Sequence, residues 1–210
     1  MAPDLTARLV DAAVAVIRDN AEELTHLDQA IGDGDHGLNM KRGFDAVADT
    51  PEIRALPLGD ALQKLGMTLV MKVGGASGPL YGSLFMAMGK SVTGNPTGCD
   101  QVSAMLGEGI AAVKKRGKSE AGEKTMLDVL VPVSQVLQRA AGEPIVVSEL
   151  LSRVRAAADA GLEATRNIQA TKGRASFLGP RSVGHLDPGA RSSQLLIHAI
   201  CGVIAGAIKS

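Results

Sequence analysis

Apolar residues recur at intervals of three and four along almost the whole chain, and no alternating run recurs that would specify a half-buried strand. Leu5, Leu9, Ala13, Val16 and Asn20 fall on one helical stripe. Val102, Met105, Leu106, Gly109, Ile110 and Val113 make a second, and Leu151, Val154, Ala158, Leu162, Thr165 and Ile168 a third. Read this way, the sequence predicts about eight helices, over 4–24, 38–49, 58–73, 78–93, 100–116, 125–140, 148–170 and 188–208, and an all-α fold. A buried strand competes only between Met126 and Val136, where Pro132 would kink a helix. Only Phe44, Phe85, Phe177 and Tyr81 are aromatic, so Ala, Leu, Val, Ile and Met must fill the core. Such residues suit close helix packing better than sheets. No low-complexity linker or internal repeat divides the 210 residues, which read as a single domain, 1–210.

Charge excludes one broad class of function. Twenty-two cations balance 22 anions, without the basic excess of a dedicated nucleic-acid binder. Cys99 and Cys201 follow no metal or redox spacing and read as small buried hydrophobes. No secretory signal pattern opens the chain. The most apolar segment, Leu195 to Ile208, is about 14 residues long, contains His198 and two glycines, and is too short to span a bilayer. The expectation is a soluble cytoplasmic protein with no membrane and no nucleic-acid partner.

Chemistry is concentrated in the breaks between helices, at 28–37, 74–78, 116–126 and 172–191. The first holds Asp28, Asp33 and Asp35 within eight residues, interleaved with Gly32, Gly34 and Gly37. The glycines predict a tight turn. Crowded carboxylates repel unless a cation holds them, and magnesium commonly takes a few carboxylates together with substrate phosphates. The alternative is a solvated acidic turn, with Asp35 capping the next helix. Residues 32 to 37 also spell G-x-G-x-x-G, but a dinucleotide fold needs a preceding strand and backbone donors, and here the intervening positions are largely acidic. An EF-hand from Asp33 fails at Leu38 and Phe44, and a P-loop ending at Gly89-Lys90-Ser91 fails at Leu84.

Val73-Gly74-Gly75-Ala76-Ser77-Gly78-Pro79 leads into a helix, whose N-terminus presents unpaired donors and a positive dipole end. Ser77 could cap that helix or donate to a phosphate oxygen. Lys172 to Arg181 is long, basic and punctuated by glycine, and Arg174 and Arg181 could clamp phosphate. It leads to Asp187-Pro188-Gly189, an acid at the N-cap and a proline at the first helical position. Arg116-Gly117-Lys118 and Gly122-Glu123-Lys124-Thr125 form another basic, glycine-marked turn. Metal-binding acids, an anion-ready helix start and arginine loops are together what a magnesium–nucleotide site requires.

At these residues the sequence resembles the DhaL family, the nucleotide-binding L subunits of bacterial dihydroxyacetone kinases. The stretches that carry the resemblance are LDQAIGDGDHGLNMKRGF, GMTLVMKVGGASGPLYG, GEKTMLDV and KGRASFLGPRSVGHLDPGA, spread from residue 27 to 190 in the family's order. The resemblance implies an eight-helix antiparallel barrel with ADP or ATP at one end. It implies that Asp28, Asp33 and Asp35 ligate two magnesium ions bridging to the phosphates. It further implies that His36, Gly37, Leu38 and Asn39 line the nucleotide site and that Ala76 and Ser77 approach the phosphates. Gly117, Met126, Arg174 and the Asp187-Pro188-Gly189 turn would enclose the rest, with Met126 against the base. One departure is Leu127, where some relatives carry a smaller, Cys-like residue.

The implied reaction is γ-phosphoryl transfer to a short ketose, dihydroxyacetone or erythrulose, held on a separate K subunit (DhaK-type). A third, DhaM-type subunit of the phosphotransferase system would rephosphorylate the bound ADP; freely exchanging ATP marks a different kind of relative. Among the histidines, His36 and His185 are the candidates for a phosphohistidine, whereas His26 and His198 fall in helical runs. A magnesium-dependent phosphatase and a purely structural helical module are the competing classes, and a homodimer is left open.

Overall fold

The computed structural model describes residues 3–96, 98–142 and 144–208, and among them there are α-helices, short 3-10 turns and no strand. The helices are α1 (Pro3–Asp19), α2 (Ala21–Ile31), α3 (His36–Ala48), α4 (Leu58–Lys72), α5 (Ser77–Lys90), α6 (Cys99–Gly117), α7 (Leu127–Ala140), α8 (Val147–Ala164) and α9 (Pro188–Ile208). Each of α3 to α8 packs against the next, α9 packs on both α8 and α1, and α1 packs on α3. Eight helices therefore close a ring. α2 stands outside it, leaning on α3 and α9. Connections between neighbouring staves alternate between the two ends, so neighbours run antiparallel.

The expected helix over 4–24 is in fact two. The chain breaks at Asn20, whose side chain donates to the Val16 carbonyl oxygen at 2.7 Å, and α2 continues to Ile31. Asp28 thus belongs to the last turn of a helix rather than to a tight turn, and Gly37 lies inside α3, which begins at His36. The segment around Pro132 is helical, not a strand. The missing proline N–H leaves the Asp128 carbonyl without its helical partner, and α8 packs closely there. A Cβ at Gly161 would lie 2.3 Å from that oxygen. The stretch 148–170 is helical to Ala164 and then ends in a 3-10 turn, Thr165–Asn167.

Side-chain size decides how close the staves come. Gly59 and Gly66 of α4 face Gly89 and Gly82 of α5; a Cβ at Gly66 would sit 2.7 Å from the Gly82 carbonyl oxygen, and one at Gly89 2.4 Å from that of Gly59. The ring is filled by Ile17, Met40, Phe44, Leu69, Val113, Leu127 and Val129, all essentially inaccessible. Leu127 is therefore a core residue. Cys201 is buried as expected, while Cys99 is only half-buried at the start of α6. α9 is 21 residues long and apolar enough to cross a membrane by length and composition, longer than the apolar segment read from sequence. Its Ser192, Ser193, Gln194, Leu195, Leu196 and Cys201 are buried, and it serves as a stave between α8 and α1.

The alternation of the ring has one functional consequence. The N-termini of α3, α5, α7 and α9 all lie at one end, together with the connections that precede them. Four helix N-termini, with their positive dipole ends, face the same space.

Candidate functional site

Asp28 organises the acidic cluster. From the last turn of α2, its Oδ2 accepts the backbone N–H groups of Asp35 at 2.8 Å and His36 at 3.1 Å, and so caps α3 from outside. Asp35 occupies the N-cap position of α3 but makes no side-chain cap bond. With Oδ2 committed, Oδ1 of Asp28 is left to face the cluster. Gly32 keeps that oxygen accessible, since a Cβ there would lie 2.1 Å from it. Asp28, Asp33 and Asp35 each offer a carboxylate oxygen, and these oxygens all lie within 4.8 Å of one another. Asp28 is buried; the other two are exposed. Three hard oxygen donors in this arrangement, one already held by hydrogen bonds, fit magnesium, with phosphate or water completing the shell.

Beside the cluster, Gly74 and Gly75 turn into α5, with Gly75 at φ +63°. Ser77 is the first residue of α5 and does not cap it. Its Oγ lies 3.0 Å from His36 Nδ1, while His36 Nε2 lies 3.0 Å from Ser192 Oγ. Tyr81 Oη extends this chain, 2.7 Å from both Ser192 and Ser193 Oγ, and donates to the Gly189 carbonyl at 2.9 Å. Burial pushes the His36 imidazole down to about 4, although Asp28 opposes the shift. With both nitrogens engaged and the ring neutral, His36 orients Ser77 and is no free nucleophile.

The opposite wall comes from the 118–126 connection and the segment from Thr165 to Asp187. Lys124 is fully buried and sits at φ +63°, a left-handed conformation that costs a non-glycine residue about 1 kcal/mol. Its ammonium donates to the carbonyl oxygens of Thr165 and His185. Burial lowers its pKa, and the Asp187 carboxylate pulls it back up. Asp128 accepts the N–H groups of Gly122 and Thr125. Asp187 caps α9 as its sequence position predicts, with Oδ2 accepting the Ala190 N–H at 2.7 Å. Burial raises its pKa to about 7, against the lowering effect of that hydrogen bond. Arg174 reaches back across the opening to Asp33, at 3.1 Å.

These walls enclose a cavity of about 500 Å³, a size suited to a nucleotide. Asp28, Asp33, Asp35, His36, Ala76, Ser77, Gly117, Met126, Arg174, Asp187, Pro188 and Gly189 all line it. Gly37, Leu38 and Asn39 do not. Gly37 faces α2, where a Cβ would meet the Ala21 carbonyl oxygen at 1.9 Å. Leu38 projects outward, 63% exposed. Asn39 braces the glycine turn from behind: its Oδ1 accepts from Arg42, which also donates to the Lys72 carbonyl. Arg181 is exposed and off the wall, and His185 contributes its backbone. Of the remaining histidines, His26 is exposed and His198 lies 2.8 Å from Asp159. Sequence reasoning passed over Ile31, Leu80, Ser119 and Ala175 as wall residues; nothing separates them by pattern from ordinary helix and loop positions.

The chain is similar in sequence and fold to known proteins. The DAK2 domain pattern matches residues 30–202. The chain is 46% identical over 185 residues, 88% of each chain, to the ADP-binding subunit DhaL of a PEP-dependent dihydroxyacetone kinase of Listeria innocua. It is 41% identical over 182 residues to the corresponding Escherichia coli subunit, covering 86% of this chain and 87% of that one. The crystal structure of the C. freundii dihydroxyacetone kinase in complex with AMP-PNP and Mg2+ superposes with a TM-score of 0.74 at 26% identity, covering 96% of this chain but 34% of that one. A pattern that spans most of the chain, relatives of equal length and a shared fold agree: this protein belongs to the DAK2-domain family.

Proposed function

We propose that the chain is the nucleotide-carrying subunit of a dihydroxyacetone kinase, which holds ADP or ATP with magnesium and passes the γ-phosphoryl group to a ketose bound on a separate K subunit. The observation that carries this reading is the convergence of Asp28, Asp33 and Asp35, within 4.8 Å, on a cavity ringed by four helix N-termini. Asp28 Oδ1, Asp33 and Asp35 would hold the metal, for which two ions are expected. Bound there, magnesium supplies positive charge to the phosphate oxygens as the phosphoryl group leaves. The chain's own part is positioning. The Gly75-Ala76-Ser77 turn would offer its backbone N–H groups to the phosphates, with the exposed Arg174 as a counter-charge at the mouth. Met126 and the Pro188-Gly189 turn give the base an apolar bed, and Lys124 with Asp187 lies behind it.

Leu38, Met71 and Phe177 are exposed apolar side chains on segments that flank the cavity, a surface suited to receiving the K subunit. The Listeria and Escherichia relatives are ADP-binding subunits of PEP-dependent kinases, and we extend that here: ADP stays bound and a DhaM-type phosphotransferase-system subunit rephosphorylates it.

Three measurements test the reading. Near-stoichiometric ADP released on denaturing the purified protein supports the cofactor-like nucleotide, whereas a nucleotide-free protein that binds Mg-ATP points to ATP exchange. Replacing Asp33 and Asp35 together with Ala is expected to abolish Mg-ADP binding while the helical circular dichroism stays intact. Unchanged affinity in that variant would sink the metal assignment. Hydrolysis of phosphoesters by the isolated chain would instead favour a phosphatase.

A further inference from the structure

The Thr165–Asp187 segment consists of two 3-10 stretches, Thr165–Asn167 and Arg174–Ser182, joined and followed by irregular chain, and its two legs are drawn together at a neck. The Lys124 ammonium, fully buried, donates to the Thr165 carbonyl on one leg and to the His185 carbonyl on the other. Three further bonds close the same neck, Gly184 N–H to the Arg166 carbonyl at 2.7 Å, Arg166 Nη1 to the Gly184 carbonyl at 3.2 Å and Asp187 N–H to Thr165 Oγ1 at 3.1 Å, and higher up the Ala170 N–H donates to Ser182 Oγ at 2.9 Å. Next to Lys124, Glu123 holds the outgoing leg higher up. Its backbone carbonyl accepts the Thr171 N–H at 3.4 Å, and its carboxylate accepts Thr171 Oγ1 at 3.2 Å. Beyond these ties the segment runs out to Arg174, which closes on Asp33 across the cavity mouth. Its outer part rests on a small apolar cluster of Ile31, Ala170, Ala175 and Leu178, and Leu186 on the returning leg packs against the main core.

We propose that Lys124 is a positioning residue that bolts this segment, as a lid, to the α6–α7 connection, and thereby sets how slowly the nucleotide leaves. The proposal rests on the nucleotide reading above for its consequence, but not for the lid itself. A compact loop with adjacent ends opens by separating its legs, and here one ammonium joins both. Removing the ammonium takes the charged donor from both carbonyls, leaving that of Thr165 only the Ile168 N–H at 3.3 Å, which drives the neck toward solvent. Lys124 also lines the cavity wall, but its ammonium is spent on the two carbonyls of the neck, so its hold on the ligand is exerted by keeping Arg174 and the Asp187-Pro188-Gly189 turn in place.

The test compares the wild type with Lys124→Met, Lys124→Arg and Thr171→Val. Trypsin cutting at Lys172, Arg174 and Arg181 in the nucleotide-free protein reports lid opening. Displacement of labelled Mg-ADP by excess unlabelled ADP reports release. Lys124→Met is expected to accelerate both by about tenfold or more, the factor carried by one lost charge-assisted hydrogen bond. Lys124→Arg should restore most of the difference, and Thr171→Val should accelerate both more weakly. Cutting confined to the lid supports the proposal; equal acceleration of cutting within the helices would mean only a general loss of stability and would overturn it. Unchanged lid cutting in folded Lys124→Met also overturns it, and should that variant not fold, unchanged cutting in Thr171→Val does so. A wild type that binds no Mg-ADP would refute the nucleotide reading, while the proteolysis still decides whether Lys124 holds the lid.

Discussion

Gly37 offers the sharpest test of how the fold builds the site. A Cβ at this position would lie 1.9 Å from the Ala21 carbonyl oxygen, 2.4 Å from Thr25 Oγ1 and 2.7 Å from the Thr25 nitrogen. The closest of these is backbone of the first turn of α2, so no rotamer change relieves the clash. α2 must retreat by about 1.5 Å before the pair reaches the 3.4 Å of ordinary contact. Overpacking of this kind costs about 3 kcal/mol, and the better helix propensity of alanine returns about 1. The net loss of about 2 kcal/mol should lower the melting temperature of a chain this size by about 4–8 °C. The same retreat carries Asp28 away from the two N–H groups it caps at 2.8 and 3.1 Å, so affinity for Mg-ADP should fall by about tenfold as well. Gly107→Ala is the control, because nothing lies within 4 Å of a Cβ there. Thermal melting by circular dichroism and calorimetric titration with Mg-ADP measure both effects. If Gly37→Ala melts within about 1 °C of the wild type and binds Mg-ADP equally well, the account of α2 as the support of Asp28 is wrong.

Gly89→Ala should be as destabilising as Gly37→Ala, because its Cβ would lie 2.4 Å from the Gly59 carbonyl oxygen, yet the end of α5 is remote from the cavity. Melting should drop with Mg-ADP affinity unchanged, and a parallel loss of affinity would contradict the separation of the two ends. Asp187 gives a pH dependence. Its pKa is raised to about 7 by burial, so between about pH 4 and 7 the native protein holds a proton that the unfolded chain has released. The stability this group contributes is therefore present at low pH and lost as pH rises through that window. Melting of the nucleotide-free protein in chelator should show that decline, and Asp187→Asn should flatten it; an identical slope in both proteins would rule out Asp187 as its source.

How much of this was legible in the sequence depended on the range of the interaction. Helices over 58–73, 78–93, 100–116 and 188–208 were readable because their three- and four-residue periodicity is local, and the structure shifts their ends by three residues or fewer. The break at Asn20 was not, because the stripe continues on both sides and asparagine stops a helix only weakly. The acids were found as a group, since three carboxylates among glycines are conspicuous whatever the fold. Their division of labour was hidden: Asp28 caps α3 through bonds to residues seven and eight positions on, and that geometry exists only once α2 has turned back at Gly32.

The same limit explains Lys124. Gly-Glu-Lys-Thr reads as a basic, glycine-marked turn, and it takes the meeting of Thr165 with His185, with Asp187 nearby, to make the burial of its lysine favourable. His36 is similar, since its partners Ser77 and Ser192 lie 41 and 156 residues away. A motif can therefore identify the groups that touch a ligand, because ligand chemistry restricts residue type. The groups that hold those residues still are selected by neighbours distant in sequence, and in this protein a buried lysine, a close-packed glycine and a neutral histidine do that work.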